Sequence, residues 1–79
     1  MFIQTNQGIV NVNPTSRDVL SILQAVFMEG NREYPNDGTE LVQSLSVNDQ
    51  IYVEGETYMV LPFGFAKYIR EEEDCSDLS

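Results

Sequence analysis

The sequence contains no histidine and no tryptophan, a single cysteine (Cys75) and only four basic residues. Histidine is the commonest general base in enzymes and a frequent metal ligand, so its absence excludes hydrolytic triads and cysteine–histidine pairs. One thiol without histidine can form neither a structural zinc site nor an intrachain disulfide. We therefore expect a protein that is not an enzyme and that holds no metal and no cofactor.

Long apolar runs and glycine-rich loops are also lacking. No apolar run exceeds four residues, which is far short of the roughly 20 that a membrane-crossing helix needs. The segment from Met1 to Gln7 lacks the basic and apolar regions of a signal peptide. The five glycines are dispersed, and none opens a helix after a strand as a phosphate-binding loop does. Together with the lone thiol, these absences predict a cytoplasmic protein.

Negative charge is abundant, because thirteen acids face four bases and give a net charge of −9 on 79 residues. A field of this sign repels nucleic acids and anionic membranes and attracts basic proteins. Acidic composition can also indicate disorder, but 42% apolar residues and eight aromatics favour a folded body. We expect a single domain that binds neither nucleic acid nor membranes.

The residue pattern predicts an α+β domain over residues 1–70, with one main helix packed on a small antiparallel sheet made of two hairpins. The first hairpin pairs residues 2–5 with 9–12 around a glycine-containing turn. The second pairs residues 50–54 with 57–61 around Glu54-Gly55-Glu56.

The predicted helix covers residues 16–29 and follows the turn signal Asn13-Pro14. Thr15 or Ser16 is expected at its N-cap, and Gly30 is expected to end it in a left-handed conformation. Apolar residues at helical spacing and on the strands give the predicted core, which consists of Ile3, Val10, Val12, Val19, Ile22, Leu23, Val26, Phe27, Ile51, Val53, Tyr58 and Val60.

Three further segments have weaker patterns. Residues 40–46 fit a short helix and a short strand equally well, because Leu41, Val42 and Leu45 have helical spacing over barely two turns. Residues 63–69 could form a third strand of the second hairpin. Residues 71–79 form an acidic tail that we expect to be flexible.

The acids are the candidate partner-binding residues. Five of the thirteen lie in the tail, so the body of residues 1–70 has a charge of −4. If the loop acids of the body lie close together, they form a patch for a cationic surface, although acids in loops are equally compatible with a role in solubility. The candidate residues are Glu29, Glu33, Asp37, Glu40, Asp49, Glu54, Glu56, Glu71, Glu72, Glu73 and Asp74.

In composition and size the chain resembles the phage-encoded acidic DNA-mimic proteins, which disable DNA-binding proteins of the bacterial host. The features that carry this resemblance are the short length, a pI near 4.1, an acidic body with an acidic tail, and the lack of histidine. The resemblance implies a bacterial cytoplasm, a function as an inhibitor, and a basic DNA-binding partner such as the histone-like protein HU. Carboxylates on a rigid scaffold would then replace the phosphates of the duplex.

Two other functions remain open at this point. The chain could be a phage-type adaptor or inhibitor that binds a host polymerase, protease or nuclease through an aromatic hairpin surface formed by Tyr52, Tyr58, Phe63 and Phe65. It could also be a small structural protein that pairs its edge strands with copies of itself. A monomer and a homodimer are both compatible with the sequence.

Overall fold

The computed structural model describes residues 1–68, which form six strands and one helix. The elements are β1 (Phe2–Thr5), β2 (Gly8–Asn11), α1 (Val19–Gly30), β3 (Glu40–Leu41), β4 (Gln50–Val53), β5 (Glu56–Leu61) and β6 (Gly64–Lys67). The predicted acidic tail lies outside the described residues. Among residues 1–68, no helix has the length and apolarity that crossing a membrane requires.

The strands form one antiparallel sheet in the order β3-β2-β1-β4-β5-β6. The hairpins β1–β2 and β4–β5 occupy its centre, and they are joined by pairing of β1 with β4, in which Gln4 lies opposite Tyr52. The two-residue strand β3 pairs with β2 at one edge, and β6 pairs with β5 at the other. The structure therefore confirms the prediction of one helix with an antiparallel sheet built around two hairpins.

The core lies between α1 and one face of the sheet, which we call the inner face. Ile22, Leu23 and Val26 come from the apolar stripe of the helix, and Val10 and Ile51 are completely buried beneath it. Burial of each such side chain stabilises the fold by about 1.5–3 kcal/mol. Of the predicted core, Val19, Phe27 and Tyr58 are only partly buried.

The helix begins and ends at different residues from those predicted. The helix begins after Asp18, whose carboxylate accepts hydrogen bonds from the hydroxyls of Ser16 and Ser21. At the other end Gly30 is still helical, and Asn31 is the C-cap, with its side-chain amide donating to the carbonyl of Phe27 at 2.9 Å. Gly30 is buried against Leu45: a Cβ on it would lie 2.7 Å from Leu45 Cδ1. A close approach, and not a left-handed cap, therefore requires this glycine.

Residues 40–46 form neither a helix nor a strand over their full length. Only Glu40 and Leu41 form a strand, and the chain then crosses towards β4 in an irregular segment. Leu45 enters the core with 2% exposure, whereas Val42 is 88% exposed. The spacing of Leu41 and Leu45, which is compatible with a helix, arises because both side chains point inwards on either side of a bend.

Gly8 allows β2 and β3 to approach each other. Its φ is +140°, and a Cβ at this position would overlap the backbone carbonyl oxygen of Glu40. Both features exclude a side chain, because the obstacle is backbone in a paired strand and cannot rotate away.

We expect Gly8→Ala to lower the free energy of unfolding by more than about 2 kcal/mol, since both the strained φ and the overlap oppose the substitution. Urea denaturation followed by circular dichroism measures this. Gly55→Ala is the matched control: its φ is +81°, but a Cβ there meets no atom within 4 Å. Equal losses in the two variants would show that the approach of β3 to β2 is not the constraint.

Candidate functional site

Two of the candidate acids are directed into the protein. Glu29 lies in the last turn of α1 and is 7% exposed. Its carboxylate accepts a hydrogen bond from the backbone N–H of Asn36 at 2.5 Å and forms an ion pair with Arg32 at 3.1 Å. Glu29 thus joins the helix to the loop that follows it and is not a free carboxylate on the surface.

Asp49 has a similar structural role at the opposite end of the sheet. It accepts hydrogen bonds from the side-chain amides of Asn6 (3.2 Å) and Gln7 (3.1 Å) and from the backbone N–H of Ser46 (2.8 Å). Partial burial disfavours the charged form, but these hydrogen bonds outweigh it, so the pKa of Asp49 lies below its ordinary value of 3.8. The carboxylate therefore joins the β1–β2 turn to the start of β4.

The remaining body acids are exposed but are not gathered in one place. Asp37, Glu54 and Glu56 share one end of the sheet, since the register places the start of β1 beside the end of β4, and the backbone carbonyl of Asp37 accepts from Asn11 of β2. Asp37 meets the sheet at β2, and β2 is separated from β4 by β1 alone, so the Asp37 region and the β4–β5 turn are two strand spacings, roughly 10 Å, apart. The shared end is therefore a sparse row of acids and not a dense patch.

The other exposed acids differ in position and in pairing. Glu56 pairs with Lys67 at 3.0 Å, and the hydrogen bond and charge of Glu56 raise the pKa of Lys67. Glu40 lies on the side of β3 that points away from α1, and Glu33 lies in the loop after α1. The four candidate acids of the tail, Glu71, Glu72, Glu73 and Asp74, lie outside the described residues.

The aromatic residues of the second hairpin are divided between the two faces of the sheet. Tyr58 and Phe65 face α1 and are half-buried, whereas Tyr52 points to the opposite face. The edge of one ring meets the face of the other between Phe27 and Phe65, whose centroids are 6.3 Å apart. Phe63, at the tip of the β5–β6 hairpin, is completely exposed.

An apolar cleft, which we call the helix–hairpin cleft, lies between α1 and the β5–β6 hairpin. Its volume is about 400 Å³, and it is lined by Gln24, Phe27, Met28, Val47, Val60, Leu61, Pro62, Gly64 and Phe65. None of these residues, all within the described part of the chain, carries a formal charge. The arrangement suits a large apolar side chain from another molecule.

Sequence reasoning missed most of this cleft. Met28 is an apolar residue that lies outside the main apolar stripe of the helix and is 70% exposed. Pro62-Phe63 is an apolar turn at a position where polar residues are usual. These two departures from pattern were the available signals. Their proximity depends on the packing of Phe65 on Phe27 and could not be deduced from spacing.

A second cleft, of about 580 Å³, lies on the other side of α1 against the β2–α1 loop. Its charged groups, Glu29 and Arg32, already pair with each other, and Asn36 donates to the carbonyl of Asn11 at 2.9 Å. Within residues 1–68 there is also no group of three side chains that could hold a metal ion. The helix–hairpin cleft is therefore the better candidate for a binding site.

No family model, no curated protein and no solved structure matches this chain.

The hydrogen bonds of Asp49 predict a pH dependence of stability. Because its pKa is lowered by folding, its stabilisation is complete above the ordinary value of 3.8 and is lost as the pH falls through the lower folded value. We expect Asp49→Ala to cost about 2 kcal/mol at neutral pH, and this difference from the wild type should shrink below about pH 4.

Chemical denaturation at a series of pH values measures this difference. Glu33→Ala, which removes an exposed carboxylate, serves as the control and should cost little at any pH. An Asp49→Ala penalty that stays constant down to about pH 3 would contradict the proposed role of the charged form.

Proposed function

We propose that this protein is a non-enzymatic binding module that holds a basic partner protein through the helix–hairpin cleft. The observation that carries the proposal is an uncharged apolar cleft bordered by a completely exposed phenylalanine, Phe63, in a chain of net charge −9. A setting in the cytoplasm fits a chain with one cysteine.

Several exposed apolar side chains lie together at the cleft. Single exposed apolar residues are common on protein surfaces and need no explanation. Here Met28, Val47 and Leu61 are 70%, 44% and 39% exposed and line one cleft, with Phe63 beside it. Contiguous apolar surface of this kind is typical of sites that bind other proteins.

The cleft is formed before a partner arrives. The contact between Phe27 and Phe65 holds the hairpin against the helix, and β5 is paired along its length with β4 and β6. Binding therefore does not have to order the walls of the site, which reduces its entropic cost.

The chemistry of the partner follows from the cleft and from the charge. The uncharged walls favour a large aliphatic or aromatic side chain as the anchor. The net negative charge attracts basic segments and accelerates their association. The expected ligand is thus an apolar anchor flanked by lysine or arginine residues on a protein surface.

Two synthetic peptides with the same number of lysines test this proposal. One carries leucine and phenylalanine at i, i+3 and i+4, and the other carries serine at those positions. We expect the apolar peptide to bind about 10–100-fold more tightly, which corresponds to burial of one anchor side chain. The binding should persist in about 1 M NaCl, where the Debye length is about 3 Å. Isothermal titration calorimetry measures both affinities.

Matched variants of α1 locate the contact. Met28→Ser should weaken binding of the apolar peptide about tenfold. Leu20→Ser should leave it unchanged, because Leu20 is also exposed on α1 but does not line the cleft. The proposal is overturned if neither peptide binds, or if both bind alike and are released together by salt.

Mimicry of DNA is the second candidate function, and one observation favours it. Asp37, Glu54 and Glu56 lie along one end of the sheet, where they could face a cationic surface that normally holds phosphates. Pairing of Glu56 with Lys67 and the wide spacing from Asp37 weaken this candidate relative to the cleft. The expected partner is a basic DNA-binding protein such as HU.

Competition with labelled DNA for purified HU separates the two functions. If the chain is a mimic, it displaces DNA at low salt and fails at high salt. The double variant Asp37→Asn/Glu54→Asn should displace less DNA, whereas Met28→Ser should act like the wild type. Asparagine suits position 54 because the φ of Glu54 is +50°, a conformation that asparagine tolerates well. No displacement by the wild type at low salt would exclude HU as the partner.

A further inference from the structure

We propose that the partner presents an extended segment, which adds to the sheet as a further antiparallel strand along β6 and places an apolar side chain in the helix–hairpin cleft. This inference rests on the proposed function and specifies the shape of the ligand as a β-strand of a basic protein. The surface that receives it is the side of β6 that faces away from β5, which we call the open edge.

The hydrogen bonds of the β5–β6 hairpin show which backbone groups of β6 face the open edge. The N–H of Tyr68 donates to the carbonyl of Thr57 at 2.8 Å, and the register places these two residues opposite each other. Hydrogen-bonded and non-hydrogen-bonded pairs alternate along antiparallel strands. The N–H and C=O groups of Phe65 and Lys67 therefore point away from β5, and within residues 1–68 no strand lies beyond β6 to receive them.

The open edge and the cleft meet at Phe65. Its side chain lies on the inner face of the sheet, where it packs against Phe27 and lines the cleft. In an antiparallel pair, directly opposite residues share a face, and their Cβ atoms are about 5 Å apart. A ligand residue that pairs with the backbone of Phe65 would therefore direct its side chain to the inner face, beside the two rings. One extended ligand can thus pair with the backbone of β6 and bury an apolar anchor.

Edge strands are usually protected from such pairing, and β6 has little protection. Common devices are a very short strand, a proline and an unpaired charge at the edge. Strand β3, at the other edge of the sheet, has only two residues. Strand β6 has four residues and contains no proline. Its one charged side chain, Lys67, is already paired with Glu56 of β5 at 3.0 Å, so an added strand does not meet an unpaired charge.

The charge of the chain favours a basic partner over a second copy as the occupant of the open edge. Two copies that paired through β6 would each carry a net charge of −9 and would repel each other. The same field attracts a segment that carries lysine or arginine beside its apolar residues. Antiparallel pairing is expected, because all the described strand pairs are antiparallel and this geometry is slightly more stable per residue than the parallel one.

Amide hydrogen exchange of the wild-type chain, followed by NMR, tests the open edge directly. In the free protein the amides of Phe65 and Lys67 should exchange rapidly, whereas that of Ala66, which faces Met59 of β5, should be protected. The probe is a peptide in which phenylalanine and leucine alternate with threonine between lysine residues. At a free concentration about ten times its dissociation constant, it should slow exchange of Phe65 and Lys67 about tenfold.

Slow exchange of both amides in the free chain would overturn the proposal. The open edge would then already be occupied, by another part of the chain if the protection is independent of protein concentration and by a second copy if it increases with concentration.

Two methylated versions of the peptide separate strand pairing from binding in the cleft. In an antiparallel strand, the residues whose side chains face the cleft are also those whose N–H groups bind β6. N-methylation at the apolar positions should therefore weaken binding about tenfold or more. N-methylation at the threonines leaves these donors in place and should have little effect. Isothermal titration calorimetry measures both affinities.

The outcomes separate this inference from the proposed function. If the two methylated peptides bind alike, or if methylation at the threonines is the more harmful, the ligand is not an antiparallel strand on β6. The proposed function stands after that result if Met28→Ser still weakens binding of the apolar peptide. If no lysine-flanked apolar peptide binds, whether its apolar spacing is that of a strand or of a helix, both proposals are overturned.

Discussion

The constraint on which the surface of this protein depends is that, within residues 1–68, one short helix packs on a six-stranded sheet. A twelve-residue helix is about 18 Å long, whereas a six-stranded sheet is about 24 Å wide. The helix packs mainly on β2 and β4 near the centre of the sheet, and it meets the β5–β6 hairpin through the contact between Phe27 and Phe65. The helix–hairpin cleft lies beside this contact, and the face of the sheet opposite α1 is covered by no helix among residues 1–68.

A small core makes polar connections important. The irregular segments on both sides of β3 contribute few apolar side chains, so they are attached to the rest of the fold through Glu29 and Asp49. Each carboxylate accepts several hydrogen bonds that compensate its burial. Two of the carboxylates are therefore buried and hydrogen-bonded within the fold, and the surface is less acidic than the composition suggests.

In the proposed function, charge and apolar surface have separate roles. Long-range attraction towards basic partners would come from acids spread over several loops, while short-range affinity would come from the uncharged helix–hairpin cleft. The acids would then accelerate association, and the cleft would hold the complex together.

Local patterns in the sequence were sufficient for the helix, for both central hairpins and for most of the core, because helical spacing and strand alternation report burial directly. The composition also shows the lack of histidine and the excess of acidic residues. Only the tertiary structure decided which acids face inwards, since Asp49 meets Asn6 and Gln7 from more than forty residues away. It likewise decided that Leu45 is buried and that Met28 and Leu61 share a cleft, because these outcomes depend on long-range packing that no short window of sequence contains.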